Sequence, residues 1–140
     1  TNPDVETAFI KHTKWDANKA KPILIANSES LEKHFSSSKT YAGITATAVG
    51  FYGPQGRVLR LPIKDVDLNT KMDSFAYQNH RITNLEMETS AIYGLSKLLG
   101  HQALSLNAII ANRANGTFSQ DSKKVVENLI TYTLDKMTSL

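Results

Sequence analysis

Apolar residues recur along this chain at two different periods, and the alternation between them predicts its elements. From Asp4 to Lys14, Val5, Ala8 and Phe9 fall at helical spacing with Trp15 just beyond, and Pro3 stands at a favoured first position. Lys14 to Lys21 is polar and predicts a surface loop. Pro22 to Ala26 reads as a short strand. Ser28 to Phe35 reads as a helix, with Ser28 as its N-cap and Glu29 in its first turn. The run Ser36-Ser37-Ser38-Lys39 is punctuation. Gly43 to Val49 alternates small and β-branched residues and predicts a strand. Arg57 to Leu61 predicts another, ended by Pro62. Asp67 to Gln78 reads as a helix with Met72, Phe75 and Ala76 on one side.

The clearest pattern follows. Met87, Ala91, Ile92, Leu95, Leu98 and Leu99 form one apolar helical stripe, and Gly100 sits where a terminating glycine belongs. Leu104 to Ala111 is nearly continuous in apolar residues, the mark of a strand covered on both faces. A last helix runs from about Ser119 to Met137, with Val126, Leu129, Ile130, Leu134 and Met137 inward. There are no repeats or low-complexity tracts. Strands alternating with helices predict an α/β layered domain, in which ligands gather where strands end.

Composition narrows the class. A chain of 140 residues with 41% hydrophobic and 21% charged residues is an ordinary globular chain of one domain. Sixteen basic residues against 13 acidic ones give a formal charge of +3, and the lysines are scattered rather than striped. That argues against a nucleic-acid partner and is compatible with a small anionic ligand. The absence of cysteine removes disulfides and thiolate metal sites and fits a reducing, cytoplasmic setting. The longest apolar run, Ala108 to Ala111, is far too short for a membrane. Asn115-Gly116-Thr117 has the form of a glycosylation acceptor and reads as a turn. His12, His34, His80 and His101 are dispersed without ligand spacing, so they receive no role.

Three strand ends carry chemistry. Gly50-Phe51-Tyr52-Gly53-Pro54-Gln55-Gly56-Arg57 is a tight glycine- and proline-bearing turn. It projects an aromatic face, an amide and a guanidinium fork, a set able to grip a planar heterocycle. Spacing alone favours an ordinary hairpin turn. Asn84-Leu85-Glu86-Met87-Glu88-Thr89 opens the best helix, where acidic residues are favoured by the macrodipole alone. One of its carboxylates could instead take two vicinal hydroxyls of a sugar. Ile109-Ile110-Ala111-Asn112-Arg113 delivers an amide and a guanidinium to the end of an apolar strand, as a ligand edge or as a plain loop start.

Taken in order, the stretch Gly43-Ile44-Thr45-Ala46-Thr47-Ala48-Val49-Gly50 through Arg57, then Glu86-Met87-Glu88, then Asn112-Arg113, resembles uridine phosphorylases of the nucleoside phosphorylase family. The resemblance runs from about Thr40 to the C-terminus. It implies a mixed sheet flanked by helices, and reversible phosphorolysis of uridine to uracil and ribose 1-phosphate, in nucleoside catabolism and pyrimidine salvage. Gln55, Arg57 and Arg113 would carry the catalytic contacts to the base, with Phe51 packed against the nucleoside and Asn112 closing the pocket. Met87 and Glu88 would hold the ribose, Glu86 would buttress them, and Thr45 would lie near ribose and phosphate. Purine-cleaving relatives carry an aspartate near Asn112-Arg113, and its absence favours a pyrimidine. Phosphate is a co-substrate, and no cofactor is implied. Homo-oligomers built from dimers, up to hexamers, are the family habit. The family's glycine-rich phosphate loop and its arginines lie upstream of everything matched here. Residues 1 to 140 are therefore expected to be the C-terminal portion of one nucleoside phosphorylase domain. A nucleoside-binding module without chemistry, a phosphorylase of purine or other nucleosides, and a purely structural oligomer subunit stand as alternatives.

Overall fold

The computed structural model describes residues 2–139. Helix α1 spans Pro3–Thr13; Asn2 caps it by accepting from the Val5 amide at 3.3 Å, and Lys14 ends it in the left-handed region. Helix α2 spans Glu29–Phe35, and the Ser28 hydroxyl accepts from the Leu31 amide as the sequence predicts. Strand β1 is Ile44–Thr47, followed by a single 3₁₀ turn at Gly53–Gln55 and helix α3 at Leu68–Asp73. Strands β2 (Ala76–Tyr77) and β3 (His80–Glu86) form a hairpin across Gln78-Asn79, where Gln78 takes a positive φ of 51°. Helix α4 is Thr89–Leu99, ended by left-handed Gly100. Strands β4 (Ala111–Asn112) and β5 (Thr117–Phe118) flank a turn with Gly116 at φ 71°, and helix α5 is Ser122–Met137. The glycosylation-like tripeptide is thus built into a turn.

The central sheet has strand order β1-β3-β2. β1 runs parallel to β3, with Thr45 opposite Asn84 and Thr47 opposite Glu86, while β2 is antiparallel to β3. This is a small mixed sheet with helices around it. The buried centre lies at one end, where α1 meets α3 through Val5, Leu68, Met72 and Phe75. Phe9 lies edge-on to Phe75 at 5.4 Å, the T-shaped geometry that aromatic quadrupoles favour.

Four expected elements differ. Pro22 to Ala26 is not a strand: the Leu24 amide is taken by the Glu6 carboxylate of α1 at 2.9 Å rather than by a neighbouring strand. Arg57 to Leu61 is a loop; the Arg57 amide closes the preceding turn onto the Tyr52 carbonyl, and Val58, Leu59 and Leu61 face solvent. The expected helix from Asp67 to Gln78 stops at Asp73, and Phe75 then enters the core ahead of β2. Leu104 to Ala111 pairs only at Ala111, and Ile109 is 54% exposed. Its upstream backbone makes isolated bonds instead, such as the Ser105 amide to the Tyr93 hydroxyl at 2.8 Å.

The apolar stripes also differ in aspect. α4 turns Tyr93, Gly94 and Ser96 inward and leaves Ile92, Leu95, Leu98 and Leu99 exposed, Leu98 at 83%. In α5, Val126, Ile130, Leu134 and Met137 are exposed, and Leu129 is the half-buried member of the expected stripe. Total accessible surface is 10129 Å², against roughly 7200 Å² for a self-contained protein of this mass. A cleft of about 1610 Å³ over the sheet adds to this area, lined by Ile25, Ile44, Ala46, Leu68 and Leu85 among others. That volume exceeds the roughly 300–1,000 Å³ of a small-molecule pocket.

Candidate functional site

Two clusters form at the ends of β1 and β3. In the first, the turn from Tyr52 to Arg57 is closed by the Gln55 and Arg57 amides, both donating to the Tyr52 carbonyl at 3.0 Å. Gly56 holds its left-handed φ of 72°, and a Cβ there would meet the Asn69 side chain at 2.7 Å, so the turn requires glycine. This geometry buries Gln55 to 3% exposure. Its Oε1 accepts from Arg57 Nη1 at 2.9 Å and from Arg113 Nη2 at 2.9 Å, and its backbone carbonyl accepts from Arg113 Nη1 at 2.7 Å. Arg57 also donates to the Phe51 carbonyl, and its guanidinium lies 3.6 Å from the Phe51 ring centroid, a cation–π stack.

The cluster thus joins two chain stretches 58 residues apart. Neither arginine meets a carboxylate among the described residues. Burial, and then the positive charge of Arg57, push the Arg113 guanidinium below its ordinary value. Two uncompensated cations converge on one amide, and with Gln55 Oε1 already shared between them the amide's remaining capacity is Nε2, a donor. The set is suited to carbonyl oxygens and to negative charge. Asn112 stands beside Arg113, but its Oδ1 accepts from the Ala114 and Asn115 amides at 3.0 and 3.4 Å and so shapes its own turn.

The second cluster joins β3 to α4. Glu86 ends the strand, with Oε2 accepting from the Glu88 and Thr89 amides at 2.7 and 2.6 Å and Oε1 accepting from the Thr47 hydroxyl at 2.5 Å. Burial pushes its carboxyl up. The hydrogen bonds from Thr47, Glu88 and Thr89 outweigh that and hold it below the ordinary 4.5. Glu86 satisfies the helix start directly, a stronger use of an acidic residue than the macrodipole alone. Glu88 is exposed at the N-cap position; among the described residues its carboxylate accepts one hydrogen bond, from the Met87 amide at 3.2 Å, and Met87 is exposed beside it. Thr45 lies two residues before Thr47 on the same face of β1 and donates to Asn84 Oδ1 at 2.8 Å.

Gln55, Arg57, Arg113 and Phe51 are therefore brought together, as are Glu86, Met87 and Glu88. No hydrogen bond joins the two groups among the described residues. Arg57, Thr45 and Thr47 line the same cleft, whereas Phe51, Gln55, Glu86, Met87, Glu88, Asn112 and Arg113 are not among its lining residues. Thr47 was missed by sequence reasoning, although the Ile-Thr-Ala-Thr alternation puts it on the same face as Thr45. Among the described residues there is no group of three side chains able to hold a metal, and no helix long and apolar enough to cross a membrane.

No family model matches the chain, and no solved structure matches it. A uridine phosphorylase from Thermococcus kodakarensis is 33% identical over 90 residues, which are 60% of this chain and 30% of that relative. The chain spans under a third of the length of the curated relative it matches. Over that part of its length, the chain is similar to a nucleoside phosphorylase.

Proposed function

We propose that this chain carries the base and ribose sites of a uridine phosphorylase. The observation that carries the reading is the convergence of Arg57 and Arg113 on buried Gln55, with no carboxylate paired to them among the described residues. In phosphorolysis a phosphate oxygen bonds to C1′ of uridine while the bond from C1′ to the base nitrogen breaks. The electron pair leaves with the base, which takes a proton from solvent to become uracil, and the sugar becomes ribose 1-phosphate. Negative charge on the departing base would meet fixed donors from Gln55, Arg57 and Arg113, preorganised because they already hold one another. Phe51, under Arg57, would face the nucleoside, and Asn112 would shape the rim. Glu88 would accept from the ribose hydroxyls, with Met87 as an apolar wall, Glu86 as the support of that turn and Thr45 nearby.

The likeness to the Thermococcus kodakarensis uridine phosphorylase supports this reading over the matched 90 residues. We further propose that residues 1 to 140 are part of a larger nucleoside-phosphorylase-like α/β domain. The surface excess, the exposed stripes of α4 and α5 and the oversized cleft support a larger body packed over this one. That body would supply the phosphate site, and the working assembly would be a homo-oligomer.

The test is uracil release from uridine by the protein as the cell makes it, with and without orthophosphate. The expected result is release only when phosphate is present, with ribose 1-phosphate as co-product. Binding of uracil without turnover would make the chain a nucleoside-binding module. Turnover of purine nucleosides in preference to uridine would overturn the base assignment.

A further inference from the structure

We infer that Thr47, which lies outside the base and sugar contacts, is a positioning residue that aims Glu88 by fixing the first turn of α4. The inference rests on the reading of Glu88 as the ribose contact. Thr47 is the last residue of β1 and stands in register with Glu86, whose carbonyl receives the Ala48 amide at 2.8 Å. The Thr47 hydroxyl donates to Glu86 Oε1 at 2.5 Å, and the Ser90 amide donates to that same hydroxyl oxygen at 3.0 Å. Glu86 Oε2 takes the amides of Glu88 and Thr89.

Three consecutive amides, those of residues 88, 89 and 90, are thus held by one Thr–Glu pair. The proton count allows only this direction. An ionised carboxylate cannot donate, so the single hydroxyl proton must go to Glu86, and the hydroxyl lone pairs are left for the Ser90 amide. Hydrogen bonding from Thr47 also helps keep Glu86 ionised. The Glu88 side chain caps nothing in the helix; its carbonyl accepts from the Ala91 and Ile92 amides at 3.1 and 3.2 Å, and its amide is held from behind, by Glu86 at the end of β3. A side chain that must meet two hydroxyls needs that direction fixed.

Thr47→Val keeps the shape and removes both hydrogen bonds, whereas Thr47→Ser keeps both. Thr47→Ala serves in place of valine if that variant does not fold. Amide exchange across residues 88–90 and kcat/KM on uridine and 2′-deoxyuridine are measured in the protein as the cell makes it. The valine variant is expected to exchange these amides at least about 10-fold faster, and to lose roughly 10-fold on uridine but little on 2′-deoxyuridine. Serine is expected to restore both. Unchanged exchange in the valine variant would overturn the clasp. Faster exchange with equal losses on the two substrates would overturn the aiming of Glu88. Wild-type protein that releases no uracil would sink the proposed function instead, and the exchange measurement would still decide whether Thr47 holds the turn.

Discussion

Replacing Arg57 with alanine separates the chemistry of the first cluster from its architecture. The guanidinium gives up its bonds to the Phe51 carbonyl and to Gln55 Oε1, together with its stack on the Phe51 ring at 3.6 Å. Gln55 is not orphaned, because Arg113 still donates to the same Oε1 at 2.9 Å and to the backbone carbonyl at 2.7 Å. Phe51 is half exposed, so its carbonyl regains water. The stack is worth about 0.5–1 kcal/mol and each net hydrogen bond a similar amount, while losing one like charge beside Arg113 returns a part. The sum is about 1–2 kcal/mol, a fall of a few degrees in Tm. Turnover behaves differently: a preorganised donor to a departing base is typically worth about 10²–10³-fold in rate. Uracil release followed by absorbance, beside a thermal melt, reads both. Near-wild-type turnover would remove the base site, and a Tm loss far beyond a few degrees would make Arg57 a structural post.

Glu88→Gln turns charge-assisted bonds into ordinary ones, a loss of roughly 1–2 kcal/mol, and should cost more on uridine than on 2′-deoxyuridine; equal losses would move Glu88 off the sugar. Glu86 is held below 4.5 when folded, so its stabilisation is fully present above pH 4.5 and is lost as pH falls through the lowered value. Melts taken down this range should show Glu86→Gln less acid-sensitive than wild type, and parallel curves would contradict the clasp. Residues 1 to 140 expressed alone should be inactive and poorly soluble. A few hundred Å² of uncovered apolar surface costs several kcal/mol at about 25 cal/mol per Å², comparable with a domain's whole stability. A soluble, cooperative monomer that cleaves uridine would overturn both the larger domain and the absence of a phosphate site from this segment.

Local signals in the sequence were sufficient wherever the structure is decided locally. Ser28 caps a helix start through its side chain, Pro3 and Gly100 act through their backbones, and α1, α2 and α4 fall close to where their pattern puts them. β1 is similarly legible because its small and β-branched residues face a parallel partner. Pro22 to Ala26 and Leu104 to Ala111 are different in kind. Their composition suits strands, but strand formation needs a neighbour, and here one amide of each goes to a side chain, Leu24 to Glu6 and Ser105 to Tyr93. The stripes of α4 and α5 are apolar as their periodicity predicts, but that of α5 is not inward as expected, and that of α4 is likewise exposed. Periodicity reports which face is apolar and carries no information on whether anything lies against it.

The site was legible as a set of residue types and only partly as a geometry. Gln55 and Arg57 share one turn, so spacing alone joins them, whereas Arg113 arrives from 58 residues away and no local pattern says which atom it will meet. The resulting arrangement has a sign. Arg57 and Arg113 gather positive charge around the Gln55 amide, while the Glu88 carboxylate projects into solvent from the start of α4 with no cation paired to it among the described residues. A glycosyl bond that breaks with its electrons toward the base makes the base negative and the sugar positive. On the proposed reading each fragment meets the charge that stabilises it. A module that merely bound neutral uridine would gain little from two half-buried guanidiniums with no carboxylate beside them among the described residues. Burial disfavours the charged form of Arg113, and negative charge arising between the two guanidiniums would offset that.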